Sequence, residues 1–183
     1  MKIPAARLAR YALPAGVLVV AGQAPLGAGV ALTEGHFDDP FAYCAAVGTL
    51  DAPDARYTGP AMPDAVARGL KAALALPADG PIEPLFRNSI WRCMNGEVYA
   101  CTVGANLPCA AKADIRREPA PALIDFCRQD PGAEIIPMAV TGRATVFEWR
   151  CADARPAIVR QLAQADAAGY LANIWYPIDP PAP

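Results

Sequence analysis

Six cysteines, Cys44, Cys93, Cys101, Cys109, Cys127 and Cys151, have the widest chemical reach of any residues in this chain, because thiols serve metal binding, redox turnover and cross-linking. Their spacing narrows the choice. No CxxC occurs, so a zinc ribbon, a thioredoxin-like redox centre and a haem attachment all lack their starting point. An even number of cysteines in an oxidising compartment reads instead as a framework of up to three disulfides. The one histidine, His36, lies in TEGHFDDP beside Asp38 and Asp39. One imidazole and two adjacent carboxylates do not close a coordination shell, and nothing rigid holds the ring against a nucleophile. No metal or other cofactor is therefore expected. Asp51 and Asp54, three apart in LDAPDARYTGP, are the candidate pair for carboxylate-based hydrolysis, although aspartate is equally a turn residue. GxSxG, SxxK, HExxH, P-loop and GxGxxG motifs are all missing.

What remains for function is recognition. Trp91, Trp149, Trp175, Tyr99, Tyr170 and Tyr176 fall on expected strands together with Arg92, Arg143 and Arg150. The tryptophans suit a core. Arg92, Tyr99 and Arg150, on faces opposite their neighbouring tryptophans, suit an exposed sheet surface of the kind that anchors partners. The segment TVGANLP between Cys101 and Cys109, with Asn106 near its tip, becomes a pinned loop if both cysteines are bridged, and a pinned loop loses little entropy on binding.

The elements that must position these groups centre on SIWRCMNGEVYACTV, residues 89–103. Two β-rich runs flank Asn95-Gly96, which favours a two-residue turn with positive φ at both positions. That turn sets Met94 opposite Glu97, Cys93 opposite Val98, Trp91 opposite Ala100 and Ile90 opposite Cys101. Trp91, Cys93, Val98 and Ala100 then share one face, and Arg92, Tyr99 and Cys101 the other. Cys93 and Cys101 should not pair with each other. A helix is expected from about Pro63 to Leu76, with Val66, Leu70 and Leu74 as its stripe, and a shorter one over Pro121 to Arg128. Residues 140–151, 156–162 and 170–178 read as strands. Ile90-Trp91-Arg92-Cys93 with Asn95 is echoed by Glu148-Trp149-Arg150-Cys151 with Asp153, each where a strand enters a turn.

The expected class is α+β, mainly antiparallel hairpins with two short helices, stabilised by disulfides. Cys109 with Cys127 would close about 18 residues, worth roughly 3 kcal/mol in the chain-entropy model. Cys93 with Cys151 would join the echoed hairpins, leaving Cys44 with Cys101.

The first 24 residues read as a signal peptide of uncertain cleavage point. Lys2, Arg7 and Arg10 precede the apolar stretch Tyr11 to Ala21, and small residues follow. Residues 25–40 read as a flexible lead-in, 41–178 as a single domain and 179–183 as a proline-rich tail. The formal net charge of −2 falls to −5 without Lys2, Arg7 and Arg10, which disfavours nucleic acid and leaves no basic anchor for stable membrane attachment after cleavage. Arginine outnumbers lysine 13 to 3, a bias that with abundant alanine and proline points to a GC-rich bacterial genome. A periplasmic or secreted location is expected.

At WRCMNGEVYACTVGANLPC and VTGRATVFEWRC the chain resembles small secreted cysteine-containing proteins of proteobacteria, over roughly residues 41–177. The resemblance implies export and disulfides and carries over no functional residue. A strand-borne cysteine followed by a hairpin also resembles bacterial envelope inhibitors of lysozyme. The expected function is a non-catalytic, inhibitor-like binding or interaction domain whose partner is an envelope protein or glycan. The alternatives are an envelope hydrolase with a carboxylate-based site and a purely structural envelope protein.

Overall fold

The computed structural model describes residues 35–104 and 106–182. The signal-peptide reading, and the lead-in as far as residue 34, lie outside the described residues. Residues 35–40 are not a loose lead-in. Phe37 donates its N–H to the Arg56 carbonyl at 2.8 Å and accepts from the Thr58 N–H at 2.8 Å. Asp39 then caps α1 (Pro40–Val47), its carboxylate accepting from the Ala42 N–H at 2.7 Å, with Pro40 in the first turn. The domain thus begins before residue 41, and FAYCAAV is a helix.

The described chain is α+β with three disulfides. Helix α2 spans Asp64–Ala73 and buries Val66 and Leu70, with Leu74 half-buried just beyond its end. Gly69 costs helix propensity but lets α2 lie directly on the last strand, because a Cβ there would run into Ile178. Helix α3 (Glu83–Asn88) runs straight into β1 (Ser89–Met94), which pairs with β2 (Glu97–Thr102) in the register expected from Asn95-Gly96. Those turn residues adopt φ of 55° and 85°. Helix α4 (Pro121–Gln129) and the one-turn α5 (Met138–Thr141) precede a second hairpin, β3 (Phe147–Ala152) and β4 (Arg155–Gln161). A 3-10 turn at Ala172–Ile174 leads to β5 (Tyr176–Ile178), which adds to the free side of β2.

Several elements differ from expectation. Five helices stand among the described residues where two were expected. The added ones are α1, α3 and α5, with Pro40 and Pro84 in the first turns of α1 and α3 and Pro137 directly before α5, so each proline opens a helix rather than breaks one. The strand read over 140–151 begins only at Phe147, after Gly142 at φ 84° ends α5. The strand read over 170–178 shrinks to its last three residues.

Two hydrophobic cores flank the β1-β2-β5 sheet. One holds Tyr43, Val66, Leu70, Trp91, Val98 and Ile178 between the sheet and α1–α3. The other holds Leu123, Val146, Phe147, Trp149, Tyr170 and Trp175, and reaches the opposite sheet face through Tyr99 and Cys101. The bridges are Cys44–Cys93, Cys101–Cys109 and Cys127–Cys151. All three expected pairings, Cys109–Cys127, Cys93–Cys151 and Cys44–Cys101, are corrected. The reason is facial. Cys93 points to the side where α1 packs and so meets Cys44, while Cys101 points away from it and takes Cys109 from its own loop. Cys151 meets Cys127 on α4. Each bridge joins cysteines that are neighbours in sequence order, and every cysteine is buried.

Candidate interaction surface

The residues singled out for binding separate into three environments. The first is the loop closed by Cys101–Cys109. Its base is set by β2: the Val103 N–H and the Thr102 hydroxyl both donate to the Asn88 carbonyl, at 2.5 and 3.4 Å. At the far side Leu107 donates back to Gly104 at 3.1 Å and Cys109 to Leu107 at 3.0 Å. A bridge and a tight turn thus hold a segment that presents Val103, Asn106 and Leu107 to solvent, Val103 at 49% exposure. The expectation of a pinned loop is met in its simplest form, the two cysteines being bonded to each other. It offers two aliphatic side chains and one amide on a semi-rigid frame, whose ordering has largely been done in advance.

The second environment contains Arg92 and Tyr99, and here the structure corrects the reading of an exposed face. Arg92 is fully buried and Tyr99 half-buried. The guanidinium lies 4.4 Å from the centroid of the Trp175 ring and 4.5 Å from that of Tyr170, with Tyr99, its cross-strand partner, at 5.7 Å. Its counter-charge is Asp166, whose Oδ2 accepts from Arg92 Nη2 while Oδ1 accepts the N–H groups of Ala168 and Tyr170 at 2.9 and 3.0 Å. Asp166 therefore both folds its own turn and neutralises a cation that would be costly to bury alone. Nε and Nη1 of Arg92 have no hydrogen-bond partner and meet ring faces instead. Burial raises the Tyr99 pKa above its ordinary value, and the nearby Glu97 carboxylate adds to the effect. A partner has no access to Arg92. It is a lock between the sheet and the segment 163–175, and the sequence reading missed Asp166, Tyr170 and Trp175 as its surroundings. Asp166 with Gly169 at φ 82° was the available signal, an Asx-type turn followed by an aromatic.

Arg150 stands in the third environment, exposed on the outer face of β3. Among the described residues no hydrogen bond or ion pair joins Arg150 or Asn106 to the Arg92 centre, so the four residues do not form one site.

The candidate chemical groups are tied up elsewhere. Asp51 accepts from Lys112 Nζ at 2.6 Å, which holds its carboxyl below the ordinary value. Asp54 is clasped by its near neighbour Arg56, through Nη2 at 2.6 Å and Nε at 3.0 Å, and its pKa is pushed down to about 2. A carboxylate pair for glycoside hydrolysis needs one member held protonated, which requires an upward shift. Both of these move the other way. His36 is exposed, and the described residues contain no group of three or more metal-ligating side chains. Among the described residues no helix is long and apolar enough to cross a membrane. Comparison with protein-family models, with curated protein sequences and with solved structures found no match.

Proposed function

We propose that this chain is an exported, non-catalytic interaction domain of the periplasm or extracellular space, inhibitor-like in using a disulfide-closed loop to engage an envelope protein, with an envelope glycan as the other candidate partner. The observation that carries this reading is the Cys101–Cys109 loop, tied at both ends and exposing Val103, Asn106 and Leu107. Three buried bridges support export, since such bonds persist in oxidising compartments. The downward shifts of Asp51 and Asp54 give a carboxylate-based hydrolase no support.

The test is affinity capture from a periplasmic extract with the oxidised protein as bait, run beside a Val103→Asp/Leu107→Asp bait. A Leu76→Asp bait, altered at an exposed position outside the loop, is the control. The reading expects a specific partner held by the unaltered and Leu76→Asp baits and lost with the loop variant. A partner held equally by all three would remove the loop from the account, and no partner at all would favour a purely structural role.

A further inference from the structure

A second exposed surface lies on the other half of the molecule. Between residues 135–138 and β3 runs a groove of about 250 Å³. The side chains of Phe147 and Trp149, both buried, lie beneath it, and Ile135, Met138 and Leu162 stand around it at 64%, 46% and 55% exposure. Large aliphatic side chains so exposed around one concavity are unusual for a surface that stays in water. The groove is rigid by construction. Ile136 donates its N–H to the Trp149 carbonyl at 2.8 Å and Cys151 donates to Ala133 at 2.7 Å, so residues 133–136 ride along β3 as a fixed rail. The Cys127–Cys151 bridge anchors the same strand to α4.

Charge selects the occupant. Arg143 lines the groove and has no ion-pair partner among the described residues. Arg117 lies 5.0 Å over the Phe147 ring, and among the described residues no carboxylate forms an ion pair with it. The one acid of the lining, Glu148, is already bonded to Arg160 at 2.7 Å, and Glu134, next along the chain, does not line the groove. Volume narrows the choice further, because small-molecule sites run to roughly 300–1,000 Å³ and this groove suits one or two side chains. We propose that it docks a short acidic–apolar peptide segment of a protein partner, seating an apolar side chain on Trp149 while a neighbouring carboxylate meets Arg143. The assignment is independent of the Cys101–Cys109 loop and survives if that loop proves inert.

The probe is a phage-displayed library of random dodecamers selected on the oxidised protein. Enriched peptides are expected to combine leucine- or aromatic-type residues with Asp or Glu. As synthetic peptides they should lose roughly thirtyfold in affinity against Met138→Arg, whose long side chain would take the apolar seat from the peptide's own anchor. Against Arg143→Glu the loss should be roughly fivefold, as for an exposed charge pair, and it should fade at high salt. Binding to Val103→Asp should be unchanged. All three positions are exposed, and near-UV circular dichroism verifies that the variants keep their packing. Enrichment of basic peptides, peptides indifferent to both groove variants, or no enrichment at all would each overturn the proposal. So would a dimer in sedimentation that Met138→Arg dissociates, which would make the occupant a second copy of this chain.

Discussion

The two hairpins carry nearly the same words, Ile90-Trp91-Arg92-Cys93 and Glu148-Trp149-Arg150-Cys151, and use them alike up to a point. Both enter a two-residue turn with positive φ throughout, Asn95 and Gly96 in one, Asp153 and Ala154 at 50° and 62° in the other. Both turn the tryptophan and cysteine into a core, and both bond the cysteine to a preceding helix, Cys93 to Cys44 on α1 and Cys151 to Cys127 on α4. The arginines part company. Arg92 is buried under Tyr170 and Trp175 with Asp166 as its counter-charge, whereas Arg150 is exposed. The strands do not decide this. The segment 163–175 folds over the back of the first hairpin, while the matching side of the second stays open to solvent. One local motif thus yields a structural lock in one setting and a solvated charge in the other, according to what the rest of the chain lays over it.

The comparison breaks most sharply at Asp166. Asp166→Ala strands a buried guanidinium and should cost about 3–5 kcal/mol, while Arg150→Ala should stay within about 0.5 kcal/mol. Urea unfolding of the two variants checks this, and equal losses would refute the lock. The paired change Arg92→Met with Asp166→Asn should recover much of the deficit.

The helix-to-strand bridges come next. With sequence separations of 49 and 24, replacing the pairs Cys44–Cys93 and Cys127–Cys151 by alanine should cost about 4 and about 3.5 kcal/mol in the chain-entropy model. The loop bridge, with a separation of 8, should cost about 2.5 kcal/mol. Thermal melts that rank the three differently would show that native packing, rather than loop closure, sets their worth.

The turns give a smaller contrast. Ala154 holds a left-handed conformation that glycine takes freely, so Ala154→Gly should stabilise the second hairpin by roughly 1 kcal/mol, and Gly96→Ala should weaken the first by a similar amount. A loss of stability in Ala154→Gly would contradict this.

The least effect is expected from acid. Because Arg56 holds the Asp54 pKa at about 2, below its ordinary value of 3.8, the stabilisation from that pair is complete above the unfolded value. It fades as the pH falls from about 4 towards 2. Asp54→Asn should flatten stability across that window, as followed by urea midpoints, and an unchanged pH slope would remove Asp54 from the account.

Much of the first hairpin was legible because its information is local. Asn95-Gly96 specifies the turn, the turn the register, and the register which side chains share a face. Alternation says nothing about whether a second layer covers the other face, so Arg92 reads as exposed until Tyr170 and Trp175 are in place. The helix at Pro40 was available in the pair Asp39-Pro40, a cap and a first-turn proline, but proline reads first as a breaker. The groove beside Trp149 was not legible at all, because Ile135, Met138 and Leu162 meet only when residues 133–136 run along β3. The bridge partners were hidden for the same reason, since helix placement brings Cys44 to Cys93.

Bonding between successive cysteines has a consequence for how the molecule is made. A polypeptide delivered amino-end first offers each unpaired thiol its correct mate as the very next one to arrive. An oxidase that simply joins sulfurs in order of appearance reaches the mature pattern with no mistakes to unscramble, so biogenesis should be insensitive to loss of a disulfide isomerase.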